Sequence, residues 1–235
     1  MAGVLQADLL LLQRVALFEG LDGHALEQVH QAAQRRRLSA GAVLFRQEDE
    51  AHVLYVVLEG RLRVSELTPE GHEVLLRFIE PGQPVGLMAA LEGAVYPVTA
   101  QAAQSSRVLC WRREAMERLM DRHPRLARNA MRLMVGRIRE LQQRVVELAT
   151  ERVEQRVARA ILRLVRQAGK RTSEGVLLEM PLSRQDLAAL TGTTLYTVSR
   201  LLNRWQEQGL VSIGRRRIVL RRPHELVALA DALAE

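Results

Sequence analysis

The chain has 235 residues, with 48% hydrophobic and 26% charged side chains, which is the make-up of an ordinary globular protein with room for two modest cores. Its one cysteine, Cys110, excludes an internal disulfide and any four-thiolate zinc or iron–sulfur site from a single chain. The net charge of +7 is polarised: residues 152–235 hold 15 Lys and Arg against 8 Asp and Glu, while the remaining 19 of each sign balance.

A basic C-terminal part after an N-terminal part of zero net charge points to a polyanionic partner. A membrane surface would call for exposed aromatic residues on a basic amphipathic helix, and only 3% of the chain is aromatic. The expected partner is therefore a nucleic acid, with no membrane; a helix-turn-helix and wing in the C-terminal part narrow it to double-stranded DNA. The apolar start, Val4 to Leu12, is interrupted by Gln6 and Asp8 and is too short to cross a bilayer. The cytoplasm is the expected compartment.

In chain order, residues 1–34 read as helical, with Leu9, Leu10, Leu12, Leu26, Val29 and Ala33 at helix-like spacing around a break at Gly20–Gly23. From Gly41 the period changes. Short apolar runs at Val43–Phe45, Val53–Leu58, Leu62–Val64, Val74–Ile79, Val98–Ala100 and Val108–Trp111 alternate with Gly60, Pro69-Glu70-Gly71, Pro81-Gly82 and Glu92-Gly93. Many short strands with glycine turns predict an antiparallel sandwich or barrel. A helix follows Pro124, on which Leu126, Ala130, Met134, Ile138, Leu141, Val145 and Leu148 form a seam suited to a second copy of the chain, a homodimer. Thr150-Glu151 marks a hinge, and Val153–Val165 opens a second helical domain. The predicted divisions are 1–124, a β-domain; 125–150, a dimer helix and hinge; and 151–235, a nucleic-acid-binding domain.

Within the last of these, Ser183 stands as a cap before a helix whose buried face is Leu187 and Leu190, with Asp186 three residues on. Gly192 falls where the chain must turn with positive φ, and Ala188 leaves room for a crossing helix. Val198, Leu201 and Leu202 form the buried side of that second helix. Thr194, Leu195, Tyr196, Thr197, Ser199, Arg200 and Asn203 are left facing outward. Gly209–Ile213, the tip Gly214-Arg215-Arg216-Arg217 and Ile218–Leu220 then read as a β-hairpin wing with a basic tip.

The glycine-punctuated strands, the long helix and the run Ser183–Asp186 … Gly192 … Thr197-Val198-Ser199-Arg200-Leu201-Leu202 together resemble the cAMP receptor protein/FNR (CRP/FNR) family of bacterial regulators over nearly the whole chain. The resemblance implies an α+β fold: an N-terminal antiparallel β-roll (jelly-roll-like, of the cyclic-nucleotide-binding type), a long dimerisation helix and a C-terminal winged helix-turn-helix. It implies a sequence-specific DNA-binding regulator that reads an inverted-repeat operator as a dimer, and that touches RNA polymerase if it is an activator. By the same resemblance Arg200 reads a guanine, with Ser199, Tyr196 and Leu195 as further base-contacting candidates. Ser183, Arg184, Gln185, Thr194, Thr197, Arg215, Arg216 and Arg217 are the phosphate-contacting candidates. Relatives with well-defined sites place an acid, often preceded by arginine, where this chain has Tyr196 and Leu195, so their half-site is not expected here.

The effector-pocket candidates are Gly86, Leu87, Met88, Tyr96, Pro97, Val98, Ile138 and Leu141, with Leu91 and Val95 nearby. The glutamate and arginine with which cAMP-binding relatives clamp ribose and phosphate are replaced around Leu87 and Tyr96, so cAMP is not the expected effector. An iron–sulfur cluster is excluded with the cysteines. Segments Leu67–Gly71 and Tyr96–Ala102 resemble the nitric-oxide-responsive, haem-binding branch. Haem thus stays open as a cofactor, with His72, His52, Cys110 or Met88 as candidate iron ligands in a pocket expected to be apolar. No phosphate loop, metal-spaced cluster or nucleophile elbow supports an enzyme. A cyclic-nucleotide-binding-like module without DNA binding is the other alternative.

Overall fold

The protein is represented by a computed structural model that describes residues 2–71, 73–179, 182–214 and 217–232. They cluster into two compact units, one running to Glu140 and the other starting at Leu141.

The first unit opens with α1 (Ala2–Leu12), a 3-10 turn at Ala16–Phe18 and α2 (Gly23–Gln31). Asp22 caps α2 by accepting a hydrogen bond from the Ala25 amide at 2.8 Å. Next come β1 (Gln34–Leu38), β2 (Val43–Phe45), β3 (Val53–Leu67), β4 (Glu73–Ile79), β5 (Pro84–Val85), α3 (Leu87–Glu92), β6 (Thr99–Arg112), α4 (Arg113–Arg122) and α5 (Pro124–Thr150). The sheet is antiparallel in the order β1-β6-β3-β4, with β2 on β6 and β5 on β3.

Alternation along β3 and β6 supplies two cores from the same strands, because successive side chains of a strand point to opposite faces. Leu54, Val56, Leu58, Leu109 and Trp111 pack with Leu12, Phe18, Val29 and Met116 on the helical side. Tyr55, Val57, Leu62, Val64 and Val108 fill the interior of the roll with Phe45, Val85 and Tyr96. Burial on both faces explains why Val53–Leu58 reads as an unbroken apolar run. The Trp111 indole donates to the Val29 carbonyl at 2.7 Å and ties sheet to helices.

The strand expectations need one correction. Val53–Leu58 and Leu62–Val64 belong to one strand, β3, and Val98–Ala100 and Val108–Trp111 lie along β6 apart from Val98, which precedes it. Gly60 does not end β3; it bends it. Its φ is +84°, and a Cβ there would strike the Ser105 carbonyl oxygen, so the ladder shifts register here without breaking. Arg61, just after the bend, is buried and makes two bonds to Glu80, at 2.6 and 3.1 Å.

The second correction concerns α5. Leu126 and Ala130 are 0% and 3% exposed and belong to the helical-side core of their own chain, so they do not contribute to a seam facing a partner. Asn129 between them donates to the carbonyls of Leu17 and Glu19 at 3.0 and 2.9 Å.

The second unit contains the end of α5, α6 (Val153–Ala168), β7 (Gly169–Thr172), β8 (Gly175–Glu179), α7 (Arg184–Thr191), α8 (Leu195–Glu207), β9 (Val211–Gly214), β10 (Arg217–Leu220) and α9 (Pro223–Asp231). Its antiparallel sheet runs β7-β8-β10-β9. Val157, Ala158, Ile161 and Leu164 of α6 are buried in this unit, as are Leu187 of α7 and Val198, Leu202 and Trp205 of α8. Glu147, 4% exposed, receives two 2.7 Å bonds from Arg163 of α6, which fixes the last turns of α5 within the unit.

Replacing Arg163 by Met should leave the Glu147 carboxylate buried without its partner and lower stability by about 3 kcal/mol. Urea denaturation of the single variant and of Glu147→Gln/Arg163→Met is the check. The double variant is expected to recover most of the loss, and equal losses in both would assign the effect to packing.

Candidate nucleic-acid interface and effector cavity

Each helix of the α7–α8 pair satisfies its own ends, which leaves one face free. The Ser183 hydroxyl accepts from the Asp186 amide at 3.0 Å, and the Asp186 carboxylate accepts from the Ser183 amide at 2.9 Å. Gly192 ends α7 in the left-handed conformation, with φ +60° and ψ 45°. Thr194 caps α8, accepting from the Thr197 amide at 3.2 Å. Arg156 of α6 closes the turn from below: its guanidinium donates to the carbonyls of Thr191, Gly192 and Glu151 at 2.9, 3.4 and 2.8 Å. Those are carbonyls that a helix end leaves without intrahelical donors, and a cation is favourable there.

Val198, Leu201, Leu202 and Trp205 point α8 inward and are at most 4% exposed. On the other side Arg200 and Leu195 are exposed, Tyr196 is 74% exposed, and Ser199 and Thr197 are half-buried. Arg184 reaches Asn203 at 3.3 Å, linking the start of α7 to the outer face of α8, while Gln185 is exposed beside it. In α7, Leu187 is buried as expected and Leu190 only half-buried; Thr191 is the buried residue that the sequence reading missed. The β9–β10 hairpin pairs Gly214 with Arg217, whose side chain is exposed. Arg215 and Arg216 lie outside the described residues.

In the first unit a cavity of about 400 Å³ opens beside α3 and α5. Gly86, Leu87, Met88, Tyr96, Pro97 and Val98 line it, as the sequence reading placed them. Ile138 and Leu141 are not among its lining residues. They are 52% and 47% exposed on α5, which turns Arg132, Leu133, Met134, Gly136, Arg137 and Glu140 to the cavity. Leu91 packs into the helical-side core and Val95 is exposed, so neither lines it. The expectation of an apolar pocket is also corrected, because Arg77, Arg132 and Arg137 line it alongside Phe45, Val64 and Val85. Tyr96 stacks on Phe45 with centroids 3.8 Å apart and donates to the Val53 carbonyl; burial holds its phenol protonated well above the ordinary value.

The candidate haem ligands do not gather at this cavity among the described residues. His52 pairs with Glu50 at 2.8 Å away from the cavity, and the Cys110 thiol, its pKa raised by burial, donates to the Gln34 carbonyl on the β1 side of β6. His72 lies outside the described residues. Among the described candidates only the Met88 thioether lines the cavity, and Tyr96 is committed to Val53 as a neutral phenol.

The apolar seam on α5 starts at Met131 in place of Ala130. Met131, Met134, Ile138, Leu141, Val145 and Leu148 alternate at spacings of three and four, and all but the half-buried Met134 are 47–65% exposed, flanked by the exposed Val135 and Val146. That spacing is the 3.5-residue repeat of paired helices.

A capped helix pair with an open polar face, followed by a hairpin wing, defines a winged helix-turn-helix DNA-binding protein. Residues 35–123 match the cyclic nucleotide-binding domain family, and residues 155–229 match the Crp-like helix-turn-helix domain. The chain is 30% identical over 211 residues to the fumarate and nitrate reduction regulatory protein of Salmonella typhi, spanning 89% of this chain and 84% of that protein. It is 32% identical over 218 residues to the cyclic AMP receptor protein of Thermus thermophilus, spanning 93% of this chain and 98% of that protein. Among solved structures, FixK2 from Bradyrhizobium japonicum matches with a TM-score of 0.76 at 26% identity, over 86% of this chain and 99% of that one. The chain belongs to the CRP/FNR family of DNA-binding transcription regulators.

Arg156→Met should orphan the carbonyls at the end of α7 and destabilise the second unit by about 1–3 kcal/mol. Urea unfolding followed by Trp205 fluorescence measures it. A stability equal to that of the unsubstituted protein would mean that water satisfies those carbonyls as well as the guanidinium does.

Proposed function

We propose that the protein acts as a homodimer in the cytoplasm, without catalysis of its own, binding an inverted-repeat operator through α8 and answering to an effector held by the β-roll. The observation that carries this reading is the face of α8: Arg200 and Tyr196 stand exposed on a helix whose opposite side is locked into the core by Val198, Leu202 and Trp205. Two such helices in successive major grooves about 34 Å apart call for half-sites one turn apart. In this reading residues 1–124 form the sensor, 125–150 the dimer helix and hinge, and 151–235 the DNA-binding domain. RNA polymerase is a further partner if the protein activates.

Arg200 is the proposed reader of guanine, since its planar fork matches two acceptors on one base edge. Ser199, Tyr196 and Leu195 are the further proposed base contacts. Ser183 and Thr194 already serve as caps, so they would offer phosphates the amides of their helix starts. Arg184, Gln185, Thr197 and Arg217, with Arg215 and Arg216 beside it in sequence, would complete the phosphate contacts.

Binding-site selection followed by gel shifts at stated salt tests the assignment. Arg200→Ala is expected to cost about 1–3 kcal/mol on the operator, far less on random DNA, and to relax preference at one position per half-site. Arg217→Ala should weaken all sequences alike and reduce the salt slope by about one. An unchanged selected motif in Arg200→Ala, with an altered one in Arg217→Ala, would reverse reader and clamp.

Ile138→Glu/Leu141→Glu places charges on the exposed seam of α5 and is expected to yield monomers with poor operator affinity. Sedimentation showing an unaltered dimer would move the interface elsewhere.

A further inference from the structure

The outer face of α8 carries apolar surface that the fold does not use. Apart from the seam on α5, the large apolar side chains left open in the second unit, among the described residues, are Leu195 at 47% exposure, Tyr196 at 74% and Val227 on α9. Leu195 and Tyr196 are adjacent and open α8, directly after its Thr194 cap. Residues four apart share a helix face, so Leu195 stands one turn before Ser199, and Tyr196 one turn before Arg200. No carboxylate accompanies them: the one acid of α8 is Glu207, at its far end.

The major-groove edges of the bases carry polar donors and acceptors and one apolar group, the C5 methyl of thymine. The amino group of cytosine calls for a carboxylate acceptor, and the purine edges call for a guanidinium or an amide. A leucine supplies none of these, and pressed against such atoms it would leave them desolvated and unpaired. We infer that Leu195, with the ring of Tyr196 beside it, reads a thymine through its methyl group. This rests on reading α8 as the recognition helix, whose first residues are the ones that reach base edges. A helical turn rises about 5.4 Å and a base step about 3.4 Å, which sets this thymine about one or two base pairs from the guanine proposed for Arg200. Thr194 and Thr197 also carry methyl groups, but they are tied to each other through their hydroxyls at 3.0 Å. Ser199 has no methyl to offer.

Uracil lacks only that methyl, so it isolates the contact. The operator comes from binding-site selection, and each thymine of its half-site is then replaced by deoxyuridine in turn, in both half-sites together. At one position gel shifts at fixed salt should show a loss of about fourfold per half-site, the value of one methyl group removed from water, and about fifteenfold for the pair. In Leu195→Ala/Tyr196→Ala the thymine-to-uracil affinity ratio at that position should fall to about one, with circular dichroism unchanged. Leu195→Ala alone should remove most of it. A selected half-site without thymine overturns the inference, and so does equal affinity for thymine and uracil at every position. A ratio that persists in both variants also overturns it, because another side chain then reads the methyl. Failure of the unsubstituted chain to select any motif is a separate result that sinks the recognition-helix reading and the inference with it. A clear motif indifferent to uracil sinks the inference alone.

Discussion

Helix α5 carries more apolar surface than one chain can cover, and its rotation about its own axis is not free. Leu126 and Ala130 are sealed in the helical-side core, and Asn129 donates to the carbonyls of Leu17 and Glu19. Side chains three and four residues apart share a face of a helix, so fixing the first turns fixes the azimuth of the later turns within the first unit. Met131 and Ile138 are thereby turned outward, 56% and 52% exposed, and in the second unit Leu141 and Val145 are exposed as well. At about 25 cal/mol per Å² of apolar area removed from water, covering such a stripe is a substantial driving force for association. The proposed dimer thus draws on how the helix is seated in its own chain, as well as on the repeat it carries.

In the DNA-binding unit the same logic runs through helix ends. Near the turn, polar groups of α7 and α8 have internal partners: Ser183 with Asp186, Thr194 with Thr197, and the closing carbonyls with Arg156. The outer face of α8 is then left with side chains that have no structural task, Arg200 and Tyr196 among them. A helix end satisfied from within keeps its position whether or not DNA is present, which makes the reading face preformed.

What the sequence made legible, and what it hid, divides along one physical line. Elements defined by local chemistry were readable: caps at Ser183 and Asp186, the positive-φ turn at Gly192 and the wing after Gly209. Features that depend on which way a residue faces were not. The strand β1, Gln34–Leu38, is mostly arginine, exposed along most of its length and paired only with β6, so no apolar alternation announced it. Gly60 looked like the end of a strand because a bend and a stop share the same residue. Leu126 and Ala130 lie in register with a seam, and spacing alone does not separate a side chain that meets its own core from one that meets a copy. Arg132 and Arg137 have the pattern of a solvated helix face, and only the fold brings them to the wall of a cavity.

On the proposed reading, sequence recognition by this scaffold depends on pairing two of its copies. Each α8 presents one arginine suited to a bidentate base contact, and such a contact discriminates against a wrong base by about 1–3 kcal/mol. The proposed wing and cap contacts to phosphate would add affinity for every sequence equally and none of that discrimination. A single copy would therefore bind DNA with strong salt dependence and little preference. Two copies on an inverted repeat would double the informative contacts, and an apolar seam between them would not be screened by the salt that weakens the phosphate contacts. The α5 seam, distant in sequence from Arg200 and touching no base, is for that reason as much a determinant of selectivity as the recognition helix.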